Sequence, residues 1–235
     1  MGFRFGYGFD IYYLLLVVPA LILSIIAQIR VKTVYSKMAK RMNTRRLTGA
    51  QAAAAVLRHY GISDVRIERV GGKLTDHFDP KTGVIRLSEG VYDSCSVAAV
   101  GIAAHEAGHA AQHAEGYAPI RIRNSIVPVC NIASWVGIPL AFVGYYFSID
   151  PLIWVGLALY SVIMVFHLVT LPTEINASSR ALSVIREDGL VNSDEEYKDA
   201  KKMLTAAAMT YVAALATSLA SLLRLLLIFT GRRRN

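Results

Sequence analysis

Two cysteines, Cys95 and Cys130, are all that this 235-residue chain carries. Cys130 lies inside a long apolar stretch, which disfavours a disulfide with Cys95, neither stands at ligand spacing, and packing accounts for both residues. Charge is scarce too. Asp, Glu, Lys and Arg make up 18% of the chain, against ~25% in an ordinary soluble domain. Acidic residues are the rarer sign, 17 against 25 basic, for a net charge of +8. There is no internal repeat and no low-complexity segment. No small-residue cleavage site follows the first apolar run, and its basic cluster comes after it. That run therefore reads as an uncleaved anchor rather than a secretory signal.

What the chain does have is apolar sequence. Hydrophobic residues make up 54% of it and mean hydropathy is +0.41. Four stretches approach or exceed the ~20 apolar residues that cross a bilayer: residues 11–28, 126–147, 152–170 and 203–229. The second and third are joined by the short Ser148-Ile149-Asp150-Pro151 connection. The fourth contains Arg224, whose charge makes a full span expensive and leaves a tilted or interfacial helix open.

Basic residues flank these stretches. Arg30, Lys32, Lys37, Lys40, Arg41, Arg45 and Arg46 follow the first, Arg121 and Arg123 precede the second, and Lys198, Lys201 and Lys202 precede the fourth. The positive-inside rule puts all of them in the cytoplasm and the N-terminus outside. Arg232, Arg233 and Arg234 dissent, because a spanning fourth segment would carry them outside. Charge placed beside spans suits anionic lipid headgroups. It does not form the basic, aromatic-bearing groove that nucleic acid requires. The lipid bilayer is the partner expected and nucleic acid is not.

Residues 32–123 can fold in water. Thr48 is placed to cap a helix through Gln51–His59, ended by Gly61. Residues 65–70, V-R-I-E-R-V, alternate as a half-buried strand does, and Val84–Leu87 reads as a second short strand. Between them, Gly71-Gly72 and the Asp79-Pro80 and Thr82-Gly83 pairs read as turns. An Ala-rich, Pro-free helix over residues 96–116 completes a small α+β unit. At about 90 residues it is too small to offer a deep cleft alone.

That last helix contains His105-Glu106-Ala107-Gly108-His109. Histidines four apart on a helix project from one face and can bind one zinc ion, while the adjacent glutamate can take a proton from a metal-activated water. The bland alternative is two core histidines on an Ala-rich helix. A catalytic zinc site takes three protein ligands and an open position. His113 is poorly placed to be the third on the same straight helix, and His77, Asp76 and Asp79 lie in a turn-rich loop where solvated polar residues are usual. The extended H-E-x-x-H-x-x-G-x-x-H pattern fails, with Gln112 at its glycine and Glu115 at its third histidine. Glu174 is the better candidate. Two spans separate it from His109, which returns the chain to the same membrane face. Its surroundings, Pro172 to Arg180, also read as a plain helix start with an acidic first turn.

Nearly the whole chain resembles the YugP-type bacterial membrane zinc metallopeptidases, distantly akin to the membrane gluzincins. The resemblance is carried by LTDHFDP at 74–80, AAVGIAAHEAGHAAQ at 98–112, EGYA at 115–118, Arg121–Arg123 and residues 174–182. It implies zinc, one ion per chain, with His105, His109 and Glu174 as ligands and Glu106 as catalytic base. Related gluzincins carry an Asp four residues past the ligand Glu. Here that position is Ser178, which leaves Asn176 as a group that could orient a ligand instead.

The expected protein is thus a mainly helical integral membrane protein of the bacterial inner membrane. It carries about four transmembrane helices and a small zincin-like α+β unit in one 1–235 domain, with a helical Glu174-bearing segment at 172–200. The expected activity is zinc-dependent hydrolysis of protein or peptide substrates on the cytoplasmic side. Arg180, Tyr117 and His113 are candidate donors to the developing oxyanion, and strand Val84–Leu87 is a candidate edge for an extended substrate. Two other classes remain open: an inactive scaffold around a structural zinc, and a transporter using His167.

Overall fold

The computed structural model describes residues 10–231. Helix α1 (Val18–Met38) is preceded by a π-helical turn, Tyr13–Val17. Pro19 has no N–H and its ring crowds the carbonyl four residues back, which a wider turn relieves. There follow α2 (Gly49–His59), β1 (Arg66–Val70), β2 (His77–Asp79), β3 (Val84–Ser88), α3 (Glu89–Tyr92), α4 (Val97–Ala114), α5 (Ala118–Tyr146), α6 (Asp150–Glu187) and α7 (Asp194–Gly231). Among the described residues, four helices are long and apolar enough to cross a membrane: Tyr13–Met38, Ala118–Tyr146, Asp150–Glu187 and Asp194–Gly231. The chain is a mainly helical membrane protein with a small α+β portion. The described residues divide into two compact units, one of residues 28–121 and 172–209, the other of residues 10–27, 122–171 and 210–231.

In the first unit, Thr48 and Gln51 form a reciprocal capping box at the start of α2. Ser96 accepts from the Ala99 N–H (3.1 Å) to start α4. Helix α4 is buried nearly all round, with Ala98, Ala99, Ala103, Ala104, Ala107 and Ala110 in a core shared with Val56, Ile85, Leu87, Ala181, Val184 and Ile185. Small side chains let the neighbouring helices approach it closely.

The sheet differs from expectation in two ways. Residues 77–79, read as loop, form β2, and the strand order is β1-β3-β2. β3 pairs parallel with β1 (Ile67 opposite Ile85) and antiparallel with β2 (Phe78 opposite Ile85). Val84–Leu87 is therefore central and has no free edge. The proposed substrate edge at that strand is overturned, because the 76–83 turn folds back to occupy it.

In the second unit, α5 and α6 form a tight hairpin. A Cβ on Gly156 would lie 2.6 Å from the Ala141 nitrogen, so only glycine allows that approach. Ser148, at φ 59, turns the chain, and Asp150-Pro151 opens α6 as a helix start should. Arg224 is not an isolated charge. Its Nε and Nη2 donate to Asp10 Oδ2 at 2.9 and 2.6 Å, while Asp10 Oδ1 accepts from the Tyr13 N–H at 2.8 Å. That pairing removes the objection to a spanning α7. The arginine run 232–234 lies outside the described residues.

Helix α6 also departs from expectation. It runs unbroken through Pro172, so the Glu174 stretch is helix interior rather than helix start. The proline costs one backbone donor. The turns after it bury Thr173, Glu174, Ala177 and Ala181, which holds the helix together beyond the lost hydrogen bond.

Candidate metal centre

Three elements converge in the first unit: the middle of α4, the 173–180 stretch of α6, and the open side of β2. A wide separation between α4 and α6 would make the convergence impossible, and Gly108 prevents it. A Cβ at Gly108 would sit 2.6 Å from the Ala177 carbonyl oxygen, closer than atoms can approach. The glycine between the two histidines therefore sets the distance at which the Glu174 helix lies.

His105, His109 and Glu174 form a cluster whose ligand atoms all lie within 4.8 Å of one another, an arrangement able to hold a metal ion. One carboxylate oxygen, Glu174 Oε2, lies 3.2 Å from His105 Nε2 and 3.5 Å from His109 Nε2. Glu174 and His109 are buried, at 2% and 8% exposure, and His105 is half-buried. Burial works against a charge on His109. The hydrogen bond to Glu174 and the carboxylate charges of Glu106 and Glu174 outweigh it and hold its pKa above the ordinary histidine value. Bringing carboxylate and imidazoles together out of water is costly unless a cation or proton neutralises them. Two imidazole nitrogens and one carboxylate oxygen are the donor set of an open zinc site.

The other nitrogen of each ring is occupied. His105 Nδ1 lies 3.1 Å from Ser178 Oγ, and His109 Nδ1 lies 3.0 Å from Gln112 Oε1. Ser178 thus meets a ligand candidate from the position where related gluzincins carry Asp, but as a neutral hydroxyl. Asn176 touches neither ring directly. Its Oδ1 accepts from Gln112 Nε2 at 2.9 Å. Glu106 is half-buried, and its Oε2 accepts from the Phe78 N–H of β2 at 3.1 Å, which ties the carboxylate to the strand.

The remaining sequence candidates lie elsewhere. The His113 ring packs on Phe78, centroids 5.9 Å apart. His77 Nδ1 faces the Thr75 carbonyl at 2.8 Å. Asp76 accepts from the Ser88 N–H and hydroxyl. Asp79 accepts from Thr82 and Arg86 and from the Lys81 N–H, and these bonds hold its pKa down at about 2. Arg180 is engaged by Glu115 at 2.7 Å and lies 5.5 Å from the Tyr60 ring centre. Gln112 and Gly108 escaped the sequence reading. Gln112 was visible only as a mismatch to a longer motif. Gly108 was visible as a lone glycine in a helix, which often marks a close approach.

No solved structure matches the chain. The family described as "Putative neutral zinc metallopeptidase" matches residues 13–230. Among relatives, the "Putative membrane protease YugP" of Bacillus subtilis (strain 168) is 45% identical over 225 residues, covering 95% of this chain and 99% of the relative. The matched span takes in the two helices that carry the cluster and all four long apolar helices, and the chain belongs to that zinc metallopeptidase family.

Proposed function

We propose that this protein is a zinc-dependent membrane metallopeptidase in which His105, His109 and Glu174 hold one zinc ion and Glu106 is the general base. The observation that carries the reading is the convergence of both Nε2 atoms on one Glu174 oxygen while both Nδ1 atoms are engaged by other side chains. Zinc in such a site supplies Lewis acidity, lowering the pKa of water toward ~7 and polarising a carbonyl.

Glu106 takes the proton of the attacking water and passes it to the nitrogen of the leaving amine, a transfer worth ~10²–10⁴-fold. The Phe78 N–H, bonded to Glu106 Oε2, holds the carboxylate in place for both transfers. β2 stands at the end of the sheet order, so an extended peptide can add along it beside Glu106. Basic residues at 30–46, 121–123 and 198–202 favour a cytoplasmic site on an inner-membrane protein. The substrates this favours are protein or peptide segments at the membrane.

The test is cleavage by purified protein in liposomes, offered an unfolded polypeptide and a single-span helical peptide. Cleavage of either should stop on chelation and return with about one equivalent of added zinc. Cleavage indifferent to chelator would remove the reading. Bound zinc without cleavage would favour a scaffold, and solute flux with Glu106 replaced a transporter.

A further inference from the structure

Gln112 is wholly buried yet polar, and every one of its side-chain hydrogen-bond partners is identifiable. Its Nε2 donates to the Thr173 carbonyl at 2.8 Å and to Asn176 Oδ1 at 2.9 Å. A backbone carbonyl only accepts, so the atom facing Thr173 must be the amide nitrogen. The Gln112 oxygen is then the atom that faces His109 Nδ1, and Nδ1 must carry the proton. Nε2, the atom directed toward Glu174, is then the nitrogen whose lone pair a metal can take once its proton is displaced.

Asn176 is fixed by the same logic. Its Oδ1 also accepts from Arg180 Nε at 2.8 Å, and a guanidinium can only donate. Arg180 is in turn held by Glu115 at the C-cap of α4. The chain Glu115–Arg180–Asn176–Gln112–His109 is continuous: His109 donates to Gln112 and Gln112 to Asn176, while Arg180 donates to both Asn176 and Glu115. His105 has no such lock, because the Ser178 hydroxyl beside its Nδ1 can donate or accept.

We infer that Gln112 is a positioning residue that locks His109 in its metal-binding tautomer, with Asn176 and Arg180 as its own supports. The inference rests on the zinc-site reading above. It adds that the two histidines are not equivalent: His109 is the preset ligand, and His105 adapts.

The test uses full-length protein in detergent. In metal-free wild type, titrated to a pH at which the His109 ring is neutral, ¹⁵N spectra should show a single Nδ1–H tautomer. Gln112→Met, of similar volume and unable to accept a strong hydrogen bond, should give a mixture of tautomers. It should also weaken zinc affinity by ~10–100-fold, as loss of a ligand's orienting partner does. Arg180→Met, less buried, should shift both readouts in the same direction by a smaller amount, and it serves if Gln112→Met fails to fold. A pure Nδ1–H tautomer and unchanged zinc affinity in either folded variant would overturn the inference while leaving the zinc site standing. Wild type that binds no zinc would instead overturn the metallopeptidase reading and the inference with it.

Discussion

Glu106→Gln should keep its zinc and lose hydrolysis by ~10²–10⁴-fold, the usual worth of a positioned general base. The substitution is nearly isosteric. The amide that replaces the carboxylate retains an oxygen for the Phe78 N–H, which Glu106 now accepts at 3.1 Å, so the β2 contact and the core around α4 should survive. What is lost is the capacity to accept and return a proton. Zinc content, thermal stability and turnover measured on one preparation separate these effects. Turnover preserved in Glu106→Gln would remove Glu106 from the chemistry. Zinc lost from it would mean that the glutamate contributes to the metal site itself.

The second large effect is expected at Gly108→Ala. A methyl there would meet the Ala177 carbonyl oxygen at 2.6 Å, and because both partners are helix backbone, neither can swing aside. Helix α4 or α6 must shift. Overpacking of this kind costs ~1–3 kcal/mol or somewhat more. The shift also moves Glu174 away from His105 and His109, and ~1 Å of misplacement can cost ~10²-fold in rate. The variant should therefore lose stability, zinc affinity and activity together. Gly101→Ala, seven residues earlier on the same helix, is the internal control. Its methyl would meet Ala200, Cβ at 3.9 Å and Cα at 4.0 Å, both ordinary contacts. It should be neutral or stabilising by up to ~1 kcal/mol through helix propensity. Equal behaviour of the two variants, read by thermal unfolding and zinc titration, would contradict the close-approach argument.

The parts of this protein that could be read from the chain are those set by local chemistry. Spacing on one helix face put His105 and His109 together, and Thr48 announced the start of α2. Alternation gave β1, and length with hydropathy gave four long apolar helices. The parity of two spans, with the resemblance to a known family, pointed to Glu174. The parts that escaped depend on partners distant in sequence. β2 is three residues of a turn-rich stretch and is a strand only because β3 and Glu106 engage its backbone. Pro172 marks a helix boundary by local rules, yet burial of the residues after it carries α6 through. Arg224 looked costly until Asp10, 214 residues away, supplied its partner. Gln112 was a mismatch to a motif, and its meaning depends on which atoms Thr173, Asn176 and His109 present to it.

A three-ligand zinc site assembled from α4 and α6 is tested by metal content per chain, without any substrate. Detergent-purified wild type should carry about one zinc, and Glu174→Ala, prepared in parallel, should have lost it or bind it far more weakly. Full retention of zinc by Glu174→Ala, or none in wild type even after reconstitution, would rule that site out.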